Sequence, residues 1–295
     1  MYDQILVPTD GSEHAQRATE HGAVVANAFD ATLHLLSVVD VSAAAGPFSA
    51  GGVEESYVEQ LTDASESELA EIEAGIERVD AVETAVISGR PSAGILEYVD
   101  DNDIDLVCMG THGRRGLRRF LTGSVTERVV RLSPVPVLTV RATAASEPGE
   151  GYDDILVPTD GSDCAGAAVA HAIALADRFD SRLHAVSVID TASLATGTEM
   201  GIPPGLLEEL ERNAAGAIRA VEDDAEAAGI DCVGVVDTGG VRRTLLDYAD
   251  DNDIDLVCLG THGRSGLDRV LVGSTAESLV RRADAPVVTV SQGGD

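Results

Sequence analysis

By type and spacing, the residues best placed to do chemistry lie at 110–124, GTHGRRGLRRFLTGS. Gly110 and Gly113 are followed by Gly123 and Ser124. An apolar, strand-like run precedes them at 106–109, and a helically spaced one follows at 125–130. A glycine-lined loop ending on a helix N-terminus offers unpaired main-chain N–H groups and a partial positive charge, which suit an anion such as a phosphate. Glycine also lets the main chain approach a ligand closely and reach φ > 0. Residues 260–274, GTHGRSGLDRVLVGS, repeat the arrangement with Gly260, Gly263, Gly273 and Ser274. The chain reads as two copies of one nucleotide-sized pocket.

Each side chain in and near these loops has a plain reading beside a sharper one. Without a ligand, the loop is simply a tight turn between strand and helix. His112 and His262 shape the loop or meet a phosphate, and no Ser-His-Asp arrangement can be built around them. Arg114, Arg115, Arg118 and Arg119 are the only dense basic cluster; they are either a solvated face or charge compensation for a polyphosphate. The second copy has Arg264, Ser265, Asp268 and Arg269 instead. Residues 101–105 (DNDID) hint at calcium, but a calcium loop counted from Asp101 needs Gly where Leu106 stands and Glu where His112 stands. Cys108, Cys164, Cys232 and Cys258 show no metal-like or redox spacing and read as small side chains in a reducing compartment.

The elements that must position these loops come from periodicity. Residues 2–12 (YDQILVPTDGS) return as 152–162 (YDDILVPTDGS). Residues 101–116 return as 251–266 at the same offset, with only Met109 and Arg115 changed, to Leu259 and Ser265. Strands are expected at 4–8, 32–39, 82–88, 106–110 and 135–140, then at 155–158, 182–189, 232–237, 256–260 and 287–290. Helices are expected from Ser12 or Glu13 to about Phe29, and at 54–79, 92–101 and 124–131. On the long acidic helix at 54–79, Tyr57, Leu61, Leu69, Ile72, Ile76 and Val79 fall on one face. Strands alternating with helices imply an α/β fold, two tandem five-stranded parallel sheets each covered on both faces. The domains are 1–141 and 152–295, joined by a linker at 142–151 broken by Pro148 and Gly149. In such sheets ligands sit beyond the carboxyl ends of strands where the winding reverses, which sets Asp10 beside the loop if the first and fourth strands are neighbours.

Composition narrows the classes further. No run of about 18 apolar residues suggests a membrane span, and the start, MYDQILVPTDGS, has no secretion-signal pattern, so the expectation is cytoplasmic. The formal charge of −31 is spread evenly, all 20 basic residues are Arg, and there is no Lys. Such a surface argues against nucleic-acid binding and for a salt-rich, halophilic cytosol.

The pattern G-x2-G-x9-G-[S/T], twice present and each time preceded by PTDGS at a fixed distance, resembles the ATP-binding pattern of the universal stress protein family. Ser37-Val38-Val39-Asp40 and Ser187-Val188-Ile189-Asp190 look like the same family, and the likeness covers nearly the whole chain. It implies a Rossmann-like sheet of order 3-2-1-4-5 binding ATP, usually with Mg²⁺. By that resemblance Asp10, after Pro8 and Thr9, holds the ribose, although an Asp there could equally cap the next helix. The main chain at Val38 holds adenine, and Gly110, after Met109, lies against the ribose. Gly113, Arg114, Gly123, Ser124 and Val125 take the phosphates. The second set is Pro158, Thr159, Asp160, Val188, Leu259, Gly260, Gly263, Arg264, Gly273, Ser274 and Thr275. The resemblance further implies that the fifth strands pair within the chain as an internal pseudo-dimer, with a further homodimer left open. No protein ligands to a metal and no catalytic residue are expected. The main expectation is a nucleotide-dependent stress or regulatory protein. A slow Mg-dependent ATPase or phosphotransferase, or an ATP-free interaction module, are the alternatives; phosphoryl transfer needs a positioned base and a strong cation, and the chain has no lysine to supply one.

Two measurements check these readings. Unfolding followed at decreasing KCl should show stability falling as screening is withdrawn; undiminished stability without salt contradicts the halophilic reading. Calorimetry with Mg-ATP should show weaker binding in the second domain, where Ser265 and Asp268 replace Arg115 and Arg118; equal affinities contradict that inequality.

Overall fold

The sequence folds into two successive α/β units, residues 1–150 and 151–295, in a computed structural model that describes residues 1–40, 55–113, 123–191, 205–263 and 272–291. In the first unit the strands are β1 (Gln4–Thr9), β2 (Thr32–Val39), β3 (Val82–Ser88), β4 (Leu106–Gly110) and β5 (Val137–Val140). Their order is β3-β2-β1-β4-β5, with every pair parallel. The helices are α1 (Glu13–Phe29), α2 (Glu55–Ala74), α3 (Pro91–Asp101) and α4 (Ser124–Leu132). The second unit repeats this with β6 (Asp154–Pro158), β7 (Arg182–Asp190), β8 (Cys232–Gly239), β9 (Leu256–Gly260) and β10 (Val287–Val290), ordered β8-β7-β6-β9-β10. Its helices are α5 (Asp163–Phe179), α6 (Leu206–Ala228), α7 (Val241–Asp251) and α8 (Ser274–Arg282). Both units therefore have the expected strand order.

Central strands are apolar on both faces because helices cover both: Ile5, Leu6, Val7, Val107 and Cys108 are fully buried, as are Ile155, Leu156, Val157, Val257 and Cys258. Each unit's first helix begins where a serine can cap it. Ser12 Oγ accepts the Ala15 N–H at 3.3 Å and Ser162 Oγ that of Ala165 at 3.3 Å. The carboxylate of Asp105 accepts the Asp3 and Gln4 N–H groups at 2.7 and 2.9 Å, and Asp255 does the same for Asp153 and Asp154. The acidic turn read as a calcium hint thus anchors the start of the first strand.

Several boundaries differ from expectation for local reasons. Helix α2 stops at Ala74 rather than Val79, because Gly75 follows and its N–H turns back to the Ile72 carbonyl at 3.0 Å. Ile76 and Val79 lie past its end, and Tyr57 is exposed, so Leu69 alone of the expected stripe is fully buried. Strand β5 starts at Val137 rather than residue 135, since Ser133 Oγ donates to the Val135 carbonyl at 2.7 Å and accepts its N–H at 3.2 Å. Strands β1, β6, β7 and β8, and helices α3 and α4, each run one or two residues beyond the expected limits.

The segment expected to be a plain linker is partly built. A 3-10 turn, Ala144–Ser146, follows β5, and Ser146 is buried. His21 Nε2–H donates to the Ser146 carbonyl at 3.0 Å, and the Ala142 N–H donates to His14 Nδ1 at 2.9 Å. Two side chains of α1 therefore hold the start of this segment.

His21 is only 2% exposed, and burial pulls its pKa down from 6.5 to about 4 despite the bond to Ser146. The folded state thus prefers the neutral ring, and the stability this gives is complete above pH 6.5 and drains away as pH falls toward 4. The loss amounts to about 3 kcal/mol for one such group. Urea unfolding from pH 7 to 4 should show His21→Gln losing less stability than the parent; parallel curves contradict this account.

Candidate functional site

Strand β1 pairs with β2 on one side and β4 on the other, so the winding reverses between β1 and β4 and opens a crevice at their carboxyl ends. The second unit does the same between β6 and β9. Asp10 follows β1 and Gly113 follows β4, and the two meet. A Cβ built on Gly113 would lie 2.3 Å from Asp10 Oδ2, and one on Gly263 would lie 2.6 Å from Asp160 Oδ2. No larger residue fits at either position without moving the carboxylate.

The carboxylates are fixed by the turns that carry them. Gly11 takes φ 68° and Gly161 φ 74°, the left-handed region open to glycine. The Gly11 N–H donates to Thr9 Oγ1 at 3.1 Å, and the Ser12 N–H donates to Asp10 Oδ1 at 3.1 Å. In the second unit the matching bonds, to Thr159 and Asp160, are 3.2 and 3.0 Å. Asp10 thus joins the turn through Oδ1 while Oδ2 faces the loop glycine.

The loop is cross-tied at its stem. The Thr111 N–H donates to the Val140 carbonyl at 2.9 Å, and the Thr111 carbonyl accepts the Gly123 N–H at 2.7 Å. Thr261, Val290 and Gly273 repeat both bonds. Gly110 abuts α1, where a Cβ would fall 2.6 Å from the carbonyl carbon of His14; Gly260 lies as close to Cys164. Helices α4 and α8 then begin at Ser124 and Ser274, and neither N-cap glycine supplies a side-chain hydrogen bond to the first turn. Those first-turn amides and the helix dipole form an anion-attracting end beside the carboxylate. Thr126 Oγ1 donates to the Gly110 carbonyl at 2.8 Å, a bond the second unit lacks because Ala276 stands there.

Each loop carries an imidazole oriented by its neighbouring threonine. His112 Nδ1 is 3.1 Å from Thr111 Oγ1, and His262 Nδ1 is 2.8 Å from Thr261 Oγ1. Both threonines are buried, so their hydroxyls orient the rings rather than attack a ligand. Ser12 Oγ also donates to the His112 carbonyl at 3.3 Å. In the first unit His14 stands beside His112, ring centroids 5.0 Å apart. Burial pulls the His14 pKa down, His112 and Arg141 pull the same way, and Glu13 and Asp10 oppose them. In the second unit Cys164 occupies that place, its thiol 3.3 Å from the Val290 carbonyl. Among the described residues His262 Nε2 is buried without a hydrogen-bond partner. Cys108 and Cys258 are buried thiols; burial pushes both pKa values up, that of Cys258 to about 12.

The structure brings Asp10, Gly110, Gly113, Gly123 and Ser124 to one sheet end, and their counterparts in the second unit likewise. Pro8, Thr9, Met109 and Val125 flank them, as do Pro158, Thr159, Leu259 and Thr275. Val38 sits near the end of β2, one strand away, against Gly94 of α3; Val188 holds the matching place on β7. Arg114, Arg115, Arg118, Arg119, Arg264, Ser265, Asp268 and Arg269 lie outside the described residues. Sequence reading missed His14 and Thr126, whose differences from Cys164 and Ala276 are visible once the two copies are aligned. Among the described residues no group of three or more His, Cys, Asp or Glu is placed to hold a metal ion. No helix of those residues is long and apolar enough to cross a membrane.

Comparison with known proteins agrees with this architecture. The model of the universal stress protein family matches twice, at residues 1–141 and 151–291. A universal stress protein of Methanocaldococcus jannaschii is 36% identical over 142 residues, covering 48% of this chain and 83% of that protein. One of Mycobacterium tuberculosis is 27% identical over 301 residues, covering 98% of this chain and 97% of its own. The crystal structure of a universal stress protein from Archaeoglobus fulgidus superposes with a TM-score of 0.74 at 22% identity, over 99% of this chain and 97% of that one. With both halves matched and the fold shared, this chain belongs to the universal stress protein family.

Proposed function

We propose that each unit binds ATP, with Mg²⁺ carried on its phosphates, and that occupancy sets the protein's conformation or choice of partner in a stress response. The observation that carries this reading is the paired approach of Gly113 to Asp10 and Gly263 to Asp160 beside a helix start lacking a side-chain cap. Each carboxylate, held against the loop glycine, suits a ribose hydroxyl donor. The amides at Gly123, Ser124 and Val125, and at Gly273, Ser274 and Thr275, suit phosphate oxygens.

Binding rather than turnover is the better fit. The chain has no lysine for a phosphate loop, and the hydroxyls hydrogen-bonded to His112 and His262 are buried. Any hydrolysis rests on Mg²⁺ and arginine and is slow. Pairing of the two units within one chain, and a cytoplasmic setting, belong to the same proposal.

Native mass spectrometry of the purified chain at high salt should find ATP bound. Co-purified ADP would favour the slow hydrolase and an empty chain the interaction module. Gly113→Ala forces a methyl group onto the Asp10 carboxylate, so titration with Mg-ATP should show one site weakened by at least about tenfold, about 1.4 kcal/mol, with the second unit untouched. Unchanged binding by Gly113→Ala would remove Asp10 and Gly113 from the site.

A further inference from the structure

In each unit a strand ends on a glycine, the loop follows and a helix begins, but the two ends of that loop are tied together differently. Both units share one tie: the Gly123 or Gly273 N–H donates to the carbonyl of Thr111 or Thr261 at 2.7 Å. In the first unit a second tie lies beside it. Thr126, in the first turn of α4 and only 3% exposed, donates its hydroxyl to the Gly110 carbonyl at 2.8 Å. The bond joins the last residue of β4 to the helix sixteen positions on. Ala276, also buried, holds the matching place in the second unit and has no hydroxyl to give.

The second tie matters because of what it fastens. Gly110 is backed by His14, whose carbonyl carbon a Cβ there would strike at 2.6 Å. With its carbonyl also held by Thr126, the glycine and the helix start move as one piece. The Thr126 hydroxyl borders Gly123 as well, where a Cβ would lie 3.8 Å from Oγ1. Drawing α4 away from β4 therefore breaks a buried bond and strips a carbonyl of its donor, which costs more than losing a bond that water replaces. The same movement in the second unit breaks one such tie rather than two.

We propose that Thr126 is a positioning residue that slows nucleotide release from the first crevice, so that one chain holds a slowly exchanging nucleotide in its first unit and a quickly exchanging one in its second. This rests on the nucleotide reading above and adds a division of labour to it. Thr126 acts through Gly110 and the amides at the start of α4, the groups which that reading sets against the nucleotide. A stiffer mouth opens less often, and differences of this kind between related sites fall mainly on the dissociation rate. One neutral hydrogen bond is enough for a difference of about fivefold. The loop charges differ too, Arg115 and Arg118 against Ser265 and Asp268. Their effect is screened in multimolar salt, where the Debye length is about 3 Å or less, whereas a buried hydroxyl-to-carbonyl bond is not.

The test is release of the tritiated β,γ-imido analogue of ATP, bound as its Mg²⁺ complex to the full chain in multimolar KCl and chased with excess unlabelled analogue. The parent should release in two phases separated by about fivefold. Thr126→Val, similar in shape but without the hydroxyl, should bring the slow phase to the fast one, and Thr126→Ser, which keeps a hydroxyl, should preserve it. Ala276→Ser should slow the fast phase, a gain that general weakening of the fold cannot give. A single phase in the parent, a slow phase that survives Thr126→Val, or a fast phase unmoved by Ala276→Ser overturns the inference and leaves the nucleotide reading standing. Should Thr126→Val fail to fold, Thr126→Ser and Ala276→Ser decide alone. A parent chain that binds no analogue overturns the nucleotide reading and this inference with it.

Discussion

The close approach of main chain to its surroundings at the end of the fourth strand is the constraint on which the crevice depends. Gly110 lies against the backbone of His14, and Gly113 lies against the Asp10 carboxylate, each at a distance no Cβ could occupy. The second unit repeats both approaches at Gly260 and Gly263. Once these contacts form, the loop has little freedom at its stem. Thr111 is tied both to β5 and to Gly123, so the next helix starts with its exposed amides turned to the same end of the sheet. The crevice therefore follows from packing rather than from any reactive side chain.

That origin reconciles a very acidic chain with the anion site proposed for it. The formal charge of −31 opposes the approach of a polyphosphate from a distance. Main-chain N–H groups at a helix start act at short range, where their partial charge and directional hydrogen bonds outweigh a screened field. Each carboxylate in the crevice accepts the Ser12 or Ser162 amide through one oxygen, which holds it in place against the loop glycine. A crevice offering acceptors at one end and amides at the other suits a ligand with hydroxyls at one end and negative charge at the other.

Much of this was legible in the sequence because the two copies could be read against each other. The alternation of strands and helices and the Ser12 cap of the first helix follow from periodicity and cap chemistry; the strand order came from the family resemblance, and with β1 and β4 as neighbours the topology of parallel sheets sets Asp10 beside the glycine loop. Ends set by side-chain bonds were less legible. The Ser133 hydroxyl delays β5, and Gly75 stops α2 while the apolar spacing continues to Val79. Long-range partners were not legible at all. Nothing in local pattern says that His14, early in α1, accepts the amide of Ala142, or that His21 reaches the carbonyl of Ser146. Such bonds exist only after the sheet brings residues more than a hundred positions apart into contact.

The duplication has an evolutionary corollary. When two equivalent crevices arise from one gene copy, every substitution alters both, and a change harmful in one cannot be offset by the other. Here each copy has its own codons, so a side chain behind one crevice can change while its counterpart stays as it is. His14 against Cys164 and Thr126 against Ala276 are the marks of that freedom. One molecule thereby carries two crevices of the same main-chain plan with different side chains behind them.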